Sequence, residues 1–370
     1  MSVKRIGLLL SIVSIIFIFA SPYLFFVQQD DKGTWFEGPV LQKARFIHTA
    51  TLLPDSSLWV AGGDSNDVQL AACELLPFAA SRWEQSPSLL QPRRGHSATL
   101  LTGGRVLIAG GKGGKSILDE CEIYDMESAK VYRTAALNEG RVSHRATLLR
   151  DGSVLVTGGK TKDGVTASVE RYDPQTGVWR AAATMHYPRA AHTATLLPDG
   201  RVLVAGGYDP SLAAHRFCEI YDPEEDRWEV VSSMLARRDG HTATLLPDGR
   251  VLVTGGFTGE AILATCERYD IENDKWVFVS PMNVPRDGHT ATLLPNGRVL
   301  IVGGMNVLGY PRLTELYQYK YNRWTSADSL QTGRSGHQAV LMPDGSVLVI
   351  GGATTERILA DSERYVPASR

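Results

Sequence analysis

The sequence predicts an all-β protein, a seven-bladed β-propeller that is closed by an N-terminal strand and preceded by one transmembrane helix. Three observations lead to this prediction. A Gly-Gly pair recurs seven times, at spacings of 48 or 49 residues. Each repeat holds four short strand-like stretches separated by turn residues. A run of 22 largely apolar residues, 6–27, precedes the first repeat.

The apolar run predicts a membrane anchor. As a helix, its 22 residues would span about 33 Å, which matches a hydrocarbon core of about 30 Å. Lys4 and Arg5 precede the run, so the positive-inside rule places residues 1–5 in the cytoplasm and the rest of the chain outside, after a linker at 28–33. A cleaved signal peptide is the alternative, with its best cut after Ala20. Because the apolar residues continue beyond that point, we expect an uncleaved signal anchor.

The repeats share four residues at fixed positions. The Gly-Gly pairs lie at 62–63, 110–111, 158–159, 206–207, 255–256, 303–304 and 351–352. A histidine precedes each pair by 14 residues: His48, His96, His144, His192, His241, His289 and His337. An arginine precedes each histidine by three residues: Arg45, Arg93, Arg141, Arg189, Arg238, Arg286 and Arg334. A glutamate follows each pair: Glu74, Glu122, Glu170, Glu219, Glu267, Glu315 and Glu363. This regularity defines repeats at about 45–92, 93–140, 141–188, 189–237, 238–285, 286–333 and 334–367.

Each repeat predicts four antiparallel strands, A to D. In the fourth repeat, strand A is expected at 192–197, strand B at 201–205, strand C at 217–221 and strand D at 227–231. Asp199-Gly200 between A and B is typical of a tight hairpin turn that needs a positive φ. Four such strands cannot bury both faces of their sheet alone, so the repeats are expected to pack face to face around an axis.

The tryptophan positions predict how the ring closes. In five repeats a strand D tryptophan lies 13 residues before the next repeat's histidine. Trp35 lies 13 residues before His48 although no complete repeat precedes it, and the last repeat ends after its strand C. Residues 34–37 are therefore expected to supply strand D of blade seven, which would leave no open sheet edge. The propeller then covers residues 34–367.

The motif Arg-x-x-His, Gly-Gly, Glu-x-Tyr and Trp over residues 34–367 resembles the kelch family. The resemblance implies a kelch propeller, a module that commonly serves as an interaction platform. Galactose oxidase has a similar propeller, and its copper site uses a Tyr cross-linked to a Cys, a second Tyr and two His. Here the Cys and Tyr of each repeat share one strand in a repeating pattern and no two His are adjacent. We therefore expect no cofactor and no metal. Kelch sialic-acid mutarotases need only a general acid or base at the channel mouth, which leaves an enzyme open.

The charge balance and the cysteines indicate which partners and bonds to expect. The chain has 38 Lys and Arg against 40 Asp and Glu, a formal net charge of −2, which argues against nucleic acid. The four cysteines form no CxxC pair and occupy equivalent positions in different repeats. Those positions should lie too far apart for a disulfide, so free thiols are expected.

Function is expected where the repeat is broken, because symmetric positions serve the scaffold. The seven repeat histidines are therefore assigned to packing or hydrogen bonding rather than to a metal, and the repeat Arg and Glu are expected to pair. The A–B turns are nearly uniform, whereas the B–C loops and the two residues before each histidine vary. The candidate binding residues at these varied positions are Arg94, Asp239 and Asp287 near the channel mouth, and Tyr208, His215, Phe257 and Tyr310 in the loops.

The sequence therefore predicts a single-pass membrane protein whose extracytoplasmic propeller binds a protein or carbohydrate partner through its B–C loops. The alternative is a carbohydrate-active enzyme, oxidase-like or mutarotase-like, with Asp239, Asp287 or Arg94 at the channel mouth. Such an enzyme would show a polar pocket with perturbed carboxylates.

Overall fold

The computed structural model describes residues 32–368. The predicted cytoplasmic segment 1–5, the predicted transmembrane helix 6–27 and most of the linker lie outside these residues and stay predictions. Within the described range, no helix is long and apolar enough to cross a membrane. The one helix there is a single 3-10 turn, Tyr319–Tyr321.

Seven four-stranded antiparallel sheets follow one another, which confirms the predicted all-β seven-bladed propeller. Strands A to D of blade one are Thr49–Leu52, Leu58–Ala61, Cys73–Leu76 and Glu84–Ser86. Those of blade two are Ser97–Leu100, Arg105–Ala109, Cys121–Asp125 and Lys130–Arg133. Those of blade three are Arg145–Leu148, Val154–Thr157, Val169–Asp173 and Val178–Ala182.

The other four blades repeat this order. Blade four has Thr193–Leu196, Val202–Ala205, Cys218–Asp222 and Arg227–Val231. Blade five has Thr242–Leu245, Val251–Thr254, Cys266–Asp270 and Lys275–Val279. Blade six has Thr290–Leu293, Val299–Val302, Leu313–Gln318 and Arg323–Ser329. Blade seven has Gln338–Leu341, Val347–Ile350, Ser362–Val366 and the N-terminal strand Thr34–Glu37. Short hairpins extend three B–C loops: Asp64–Ser65 with Val68–Gln69, Lys112–Gly113 with Ser116–Ile117, and Lys160–Thr161 with Gly164–Val165.

The N-terminal strand completes blade seven, as the tryptophan spacing predicts. Trp35 lies opposite Tyr365 in the antiparallel pairing, with ring centroids 5.2 Å apart. Its indole Nε1 donates a hydrogen bond to the carbonyl of Asp328 in blade six, at 3.0 Å. The first strand therefore closes the last sheet and also joins that sheet to its neighbour.

The seven strands A form a closed inner ring. Each contacts strand A of the next blade, and the strand of blade seven contacts that of blade one. Most residues along these innermost strands are half-buried, for example throughout Thr242–Leu245 and Thr290–Leu293, and few are fully buried. The ring therefore encloses a channel that is open to solvent. The hydrophobic core lies between neighbouring blades, where facing strands B and C pack together.

The repeat arginine and glutamate form a buried ion pair in every blade. The arginine side chains are fully buried, and each lies 2.6–3.0 Å from its glutamate. In blade five, Arg238 also donates to the carbonyl of Gly255 at 2.6 Å, while Glu267 accepts from the backbone N–H groups of Leu235 and Ala236. Each pair thus ties the D–A loop to the ends of strands B and C.

Candidate functional site

The D–A and B–C loops lie together on one face of the propeller, which we call the B–C face. The residue two before each repeat histidine pairs with the residue after the second glycine of the same blade: Asp239 pairs with Phe257, and Asp287 with Met305. The opposite face carries the A–B and C–D turns, and we call it the turn face. Each candidate residue from the sequence lies on the B–C face.

Backbone groups surround the channel at its B–C end. The residue before each repeat histidine has a positive φ, as at Gly240 (58°) and Gly288 (63°). Gly288 N–H donates to the carbonyl of Gly240 at 3.0 Å, and Ile47 N–H donates to Gly336 at 2.8 Å. A Cβ at position 240 would lie 1.9 Å from Oδ1 of Asp287. A glycine at this point therefore leaves the space that the Asp287 carboxylate occupies.

Three polar side chains from blades four to six lie near one another at this end of the channel: Tyr208, Asp239 and Asp287, which we call the mouth group. Burial, and secondarily the neighbouring Asp239, raises the pKa of Asp287 to about 6. Burial also raises the pKa of Asp239. For the Tyr208 phenol, burial and then Asp239 raise the pKa. The structure thus brings together the two carboxylates that the sequence placed only in equivalent positions.

The mouth group has hydrogen-bonding capacity that the protein does not use. Oδ1 of Asp287 is buried and has no hydrogen-bond partner among the described residues. With a pKa near 6, Asp287 changes between donor and acceptor close to neutral pH. The charge of Asp239 adds to burial in raising the pKa of Asp287. The arrangement can hydrogen-bond a ligand hydroxyl or exchange a proton with it.

The structure separates Arg94 from the mouth group. Its guanidinium forms an ion pair with Asp64 of blade one, with Nη1 2.8 Å from Oδ2. The Asp64 side chain is 3% exposed and that of Arg94 is 32% exposed, so only the carboxylate of the pair is buried. Arg94 therefore links blades one and two and does not stand beside Asp239 or Asp287.

His215 belongs to a different part of the B–C face. It takes the place that Leu70, Leu118, Leu263 and Leu359 have in other blades. The side chain is 7% exposed and neither ring nitrogen has a hydrogen-bond partner of good geometry. Burial, followed by Arg189, lowers its pKa to about 4. His215 lines a cleft of about 730 Å³ between the loops of blades four and five, together with Arg237 and Glu260.

The two remaining loop candidates are half-buried. Phe257 pairs through its backbone with Asp239, which brings it beside the mouth group. Tyr310 lies further out, where its carbonyl would be 2.0 Å from a Cβ at Gly333. Neither ring is presented as an open aromatic platform.

Sequence reasoning missed two features of this face. Aliphatic side chains stand exposed at the loop tips, with Val307 89% and Leu308 94% exposed in blade six, and Leu212 64% exposed in blade four. The second feature is Arg145, which lies on strand A of blade three and is exposed. The signal for Arg145 was visible, because most other blades have Thr or Ser directly after the repeat histidine.

A solved structure with the same architecture is a fungal alcohol oxidase of the AA5 family in complex with copper. Its TM-score to this chain is 0.73 at 14% sequence identity, and the match covers 91% of this chain and 76% of the other. At that identity the similarity shows the fold alone.

The described residues do not fit a copper centre. In the range 32–368, no group of three or more His, Cys, Asp or Glu side chains could hold a metal ion. The four cysteines are buried and free, and burial raises the pKa of each thiol to about 12: Cys73, Cys121, Cys218 and Cys266. A thiol with such a pKa is a poor metal ligand and nucleophile.

No curated protein matches the chain. The family model of the KLHDC2/KLHL20/DRC7 Kelch-repeats domain matches residues 25–207 and 191–369. These two matches span all seven blades that the structure describes. With the repeat signature and the propeller fold, they show that this chain belongs to the Kelch-repeat family.

Proposed function

We propose that the chain is a binding module that holds a protein partner against its B–C face. The observation that supports this most is the set of aliphatic side chains at the loop tips: Val68, Leu212, Val307 and Leu308 are 62%, 64%, 89% and 94% exposed. Burying an exposed aliphatic side chain contributes about 1.5–3 kcal/mol. A protein surface can cover these side chains, whereas a glycan is bound mainly through polar groups and aromatic faces.

The repeated residues cannot supply this binding. The repeat arginines and glutamates are bonded to each other and to backbone groups. Most repeat histidines are joined to a hydroxyl of the preceding blade, as His96 is to Thr49 at 2.9 Å. Binding must therefore use the side chains that differ between blades, and on the B–C face these are the loop tips and the mouth group.

A pair of matched variants tests this proposal. Val307→Ser/Leu308→Ser removes the most exposed apolar tip, and Tyr321→Ser removes a 70% exposed side chain from the turn face. The full chain is used as bait with an extract of membrane and envelope proteins, and captured proteins are quantified. We expect one partner that the wild type and Tyr321→Ser retain and that the double variant loses at least tenfold. Equal capture by the two variants would contradict the proposal, and so would a glycan as the only ligand.

We also propose where the propeller lies in the cell, based on the predicted anchor at 6–27. A signal anchor with Lys4 and Arg5 on its cytoplasmic side would display the propeller outside the cytoplasm. The propeller would then be periplasmic or extracellular, and protease added to spheroplasts, whose cytoplasmic membrane is intact, should digest an epitope placed after residue 368 but not one placed before residue 4. Protection of both epitopes would contradict this orientation.

A second candidate function is an enzyme that acts on a sugar, and the mouth group is the observation that favours it. A carboxyl whose pKa is raised to about 6 is suited to general acid or base catalysis near neutral pH. Anomer exchange of free sugars, followed by NMR, would show turnover with an apparent pKa near 6, and Asp287→Asn would abolish it. Turnover that survives Asp287→Asn would exclude the mouth group as its source.

A further inference from the structure

One charged side chain enters the channel wall. The residue after the repeat histidine is the first residue of strand A in all seven blades. It is Thr in blades one, four, five and six, Ser97 in blade two, Gln338 in blade seven and Arg145 in blade three. No other strand A contains a charged residue. Arg145 therefore breaks the repeat at the surface that lines the channel.

In five of the other six blades, a Thr or Ser hydroxyl at the position of Arg145 makes the same hydrogen bond. It shares a hydrogen bond with Nε2 of the next blade's histidine, as Thr193 does with His241 at 3.1 Å. In blade three, Thr157 on strand B makes this hydrogen bond instead, and its hydroxyl lies 2.8 Å from Nε2 of His192. The scaffold is thus satisfied without any contribution from the side chain of Arg145.

The guanidinium of Arg145 has no counter-ion among residues 32–368. Its recorded hydrogen bond runs from Nη1 to the carbonyl of its own neighbour, His144, at a long 3.4 Å. Burial alone lowers its pKa, with no carboxylate acting against it. By contrast, Glu170 opposes the effect of burial on the pKa of Arg141. The side chain is nevertheless exposed to solvent. Since Arg145 lies on the innermost strand of its blade and its side chain is exposed, we place its guanidinium in the open channel.

The groups around Arg145 are neutral or positive. Burial first, and Arg145 among the neighbouring charges, lowers the pKa of His144 to about 3 and holds the pKa values of His192 and His241 well below the ordinary range. These histidines are therefore uncharged at neutral pH. The guanidinium therefore faces only solvent and neutral or positive groups among the described residues. A planar guanidinium with several free N–H donors matches the geometry of an oxyanion.

We propose that the propeller channel binds a small oxyanion, a carboxylate or phosphate group, at the guanidinium of Arg145. This site is distinct from the loop tips and the mouth group, and it does not depend on the proposed partner binding. The anion supplies the negative charge that the described residues around Arg145 lack, and it accepts the guanidinium's free N–H groups. Chloride lacks the paired oxygens that a guanidinium holds bidentately, so it is expected to bind more weakly.

The test compares thermal unfolding of the full chain in phosphate, acetate and chloride at constant ionic strength. For the wild type, phosphate or acetate at a concentration 100-fold above its Kd should raise Tm by about 4 °C over chloride. Arg145→Thr should abolish this rise. Arg145→Lys, which keeps the charge but not the bidentate fork, should reduce the affinity about tenfold. Arg133→Thr removes an exposed arginine from an outer strand and should leave the rise unchanged.

Arg145→Thr is expected to fold, because it installs the residue that four other blades carry. It would give His192 two hydroxyl partners, the arrangement that His289 already has with Thr242 and Thr254 at 3.1 and 2.8 Å. Without added anion, its Tm should equal or exceed that of the wild type. The proposal is overturned if the wild type shows no rise over chloride, or if Arg145→Thr keeps the full rise. It is also overturned if Arg133→Thr loses as much of the rise in Tm over chloride as Arg145→Thr does. Should Arg145→Thr not fold, an unchanged affinity in Arg145→Lys would overturn it.

Discussion

The two faces of the propeller use their polar residues in opposite ways. On the turn face, the A–B turns repeat an Asp or Asn whose side chain accepts a hydrogen bond from the backbone N–H two residues later, as Asp344 does from Ser346 at 3.0 Å. On the B–C face, the carboxylate of Asp287 keeps a buried oxygen without a partner. The first arrangement stabilises the turn in which it occurs. The second leaves bonding capacity for a ligand, so the contrast separates scaffold from site.

The two faces also differ in their exposed apolar side chains. The B–C face carries Val68, Leu212, Val307 and Leu308, each more than 60% exposed. Six of the seven A–B turns of the opposite face contain Asp-Gly, Asp-Ser or Asn-Gly, and that of blade two is Thr-Gly-Gly. The A–B turns are therefore polar and bonded within themselves, although a C–D turn of the same face exposes Tyr321, while the B–C loops vary in length and chemistry. This difference yields four predictions, ordered by the size of the expected effect.

The largest effect should come from opening the ring, which both faces share. Deletion of residues 33–38 removes the whole strand Thr34–Glu37 and the buried Trp35. We expect a loss of more than about 5 kcal/mol, because a large aromatic residue and a strand pairing are lost together. Urea unfolding measures the loss. Phe36→Ala, at a 52% exposed position in the same strand, should change stability by less than about 0.5 kcal/mol. An unchanged midpoint in the deletion would mean that blade seven closes in another way.

The second-largest loss of stability should come from changing a repeat glutamate beneath the B–C face. Glu267→Ala leaves the fully buried Arg238 without its carboxylate and frees the N–H groups of Leu235 and Ala236. Breaking a buried ion pair on one side costs about 3–5 kcal/mol. The change in urea midpoint should be similar for Glu219→Ala, the equivalent position of blade four. A loss below about 1 kcal/mol would show that the buried pairs are not part of the scaffold.

Carboxylates of the two faces should have opposite effects on stability. Asp287 has a folded-state pKa of about 6, above the ordinary aspartate value of 3.8, so between these values the folded state binds more protons than the unfolded chain. Its carboxylate therefore destabilises the fold increasingly as the pH rises from about 4 to 6, and the penalty is constant above that. Asp287→Asn should raise the unfolding free energy at pH 7.5 by about 1–3 kcal/mol, with little gain at pH 4.

Asp344 on the turn face is the matched control. Hydrogen bonds from Ser346 oppose burial and lower its pKa below 3.8, so its ionised form stabilises the fold above that value and the contribution is lost as the pH falls through it. Asp344→Asn should therefore lower stability at pH 7.5, by less than about 1 kcal/mol because the side chain is exposed. If Asp287→Asn and Asp344→Asn both raised the unfolding free energy at pH 7.5, the proposed difference between the two faces would be contradicted.

The smallest effect on stability should belong to the loop tip. Val307→Ser/Leu308→Ser alters side chains that are almost fully exposed, so the unfolding free energy should stay within about 0.5 kcal/mol of the wild type. The same variant is expected to lose the protein partner. A large loss of stability would mean that these side chains belong to the core of blade six.

The scaffold was predictable from the sequence because the residue pattern of each strand recurs in the seven repeats. In blade four the observed strands, Thr193–Leu196 to Arg227–Val231, begin and end within one residue of the expected bounds. Closure by Thr34–Glu37 followed from the position of Trp35. The transmembrane helix expected at 6–27 falls outside the described residues, so the structure adds nothing on that point.

The site was less predictable, because contacts between blades do not appear in an alignment of the repeats. Arg94 was grouped with the mouth carboxylates, but its partner Asp64 comes from the B–C loop of the preceding blade. His215 appeared as an extra loop histidine, whereas it fills a buried leucine position. Arg145 breaks the repeat inside a strand, whereas the predicted site residues all come from the loops and from the positions before the repeat histidines.

Hydrogen–deuterium exchange of the full chain with and without its captured partner tests the central claim most directly. If the B–C face binds the partner, backbone amides in the loops 305–310 and 208–214 should exchange more slowly in the complex. Amides of the A–B turns, such as 343–345, should be unchanged. Protection confined to the A–B or C–D turns, with the B–C loops unaffected, would contradict the assignment of binding to the B–C face.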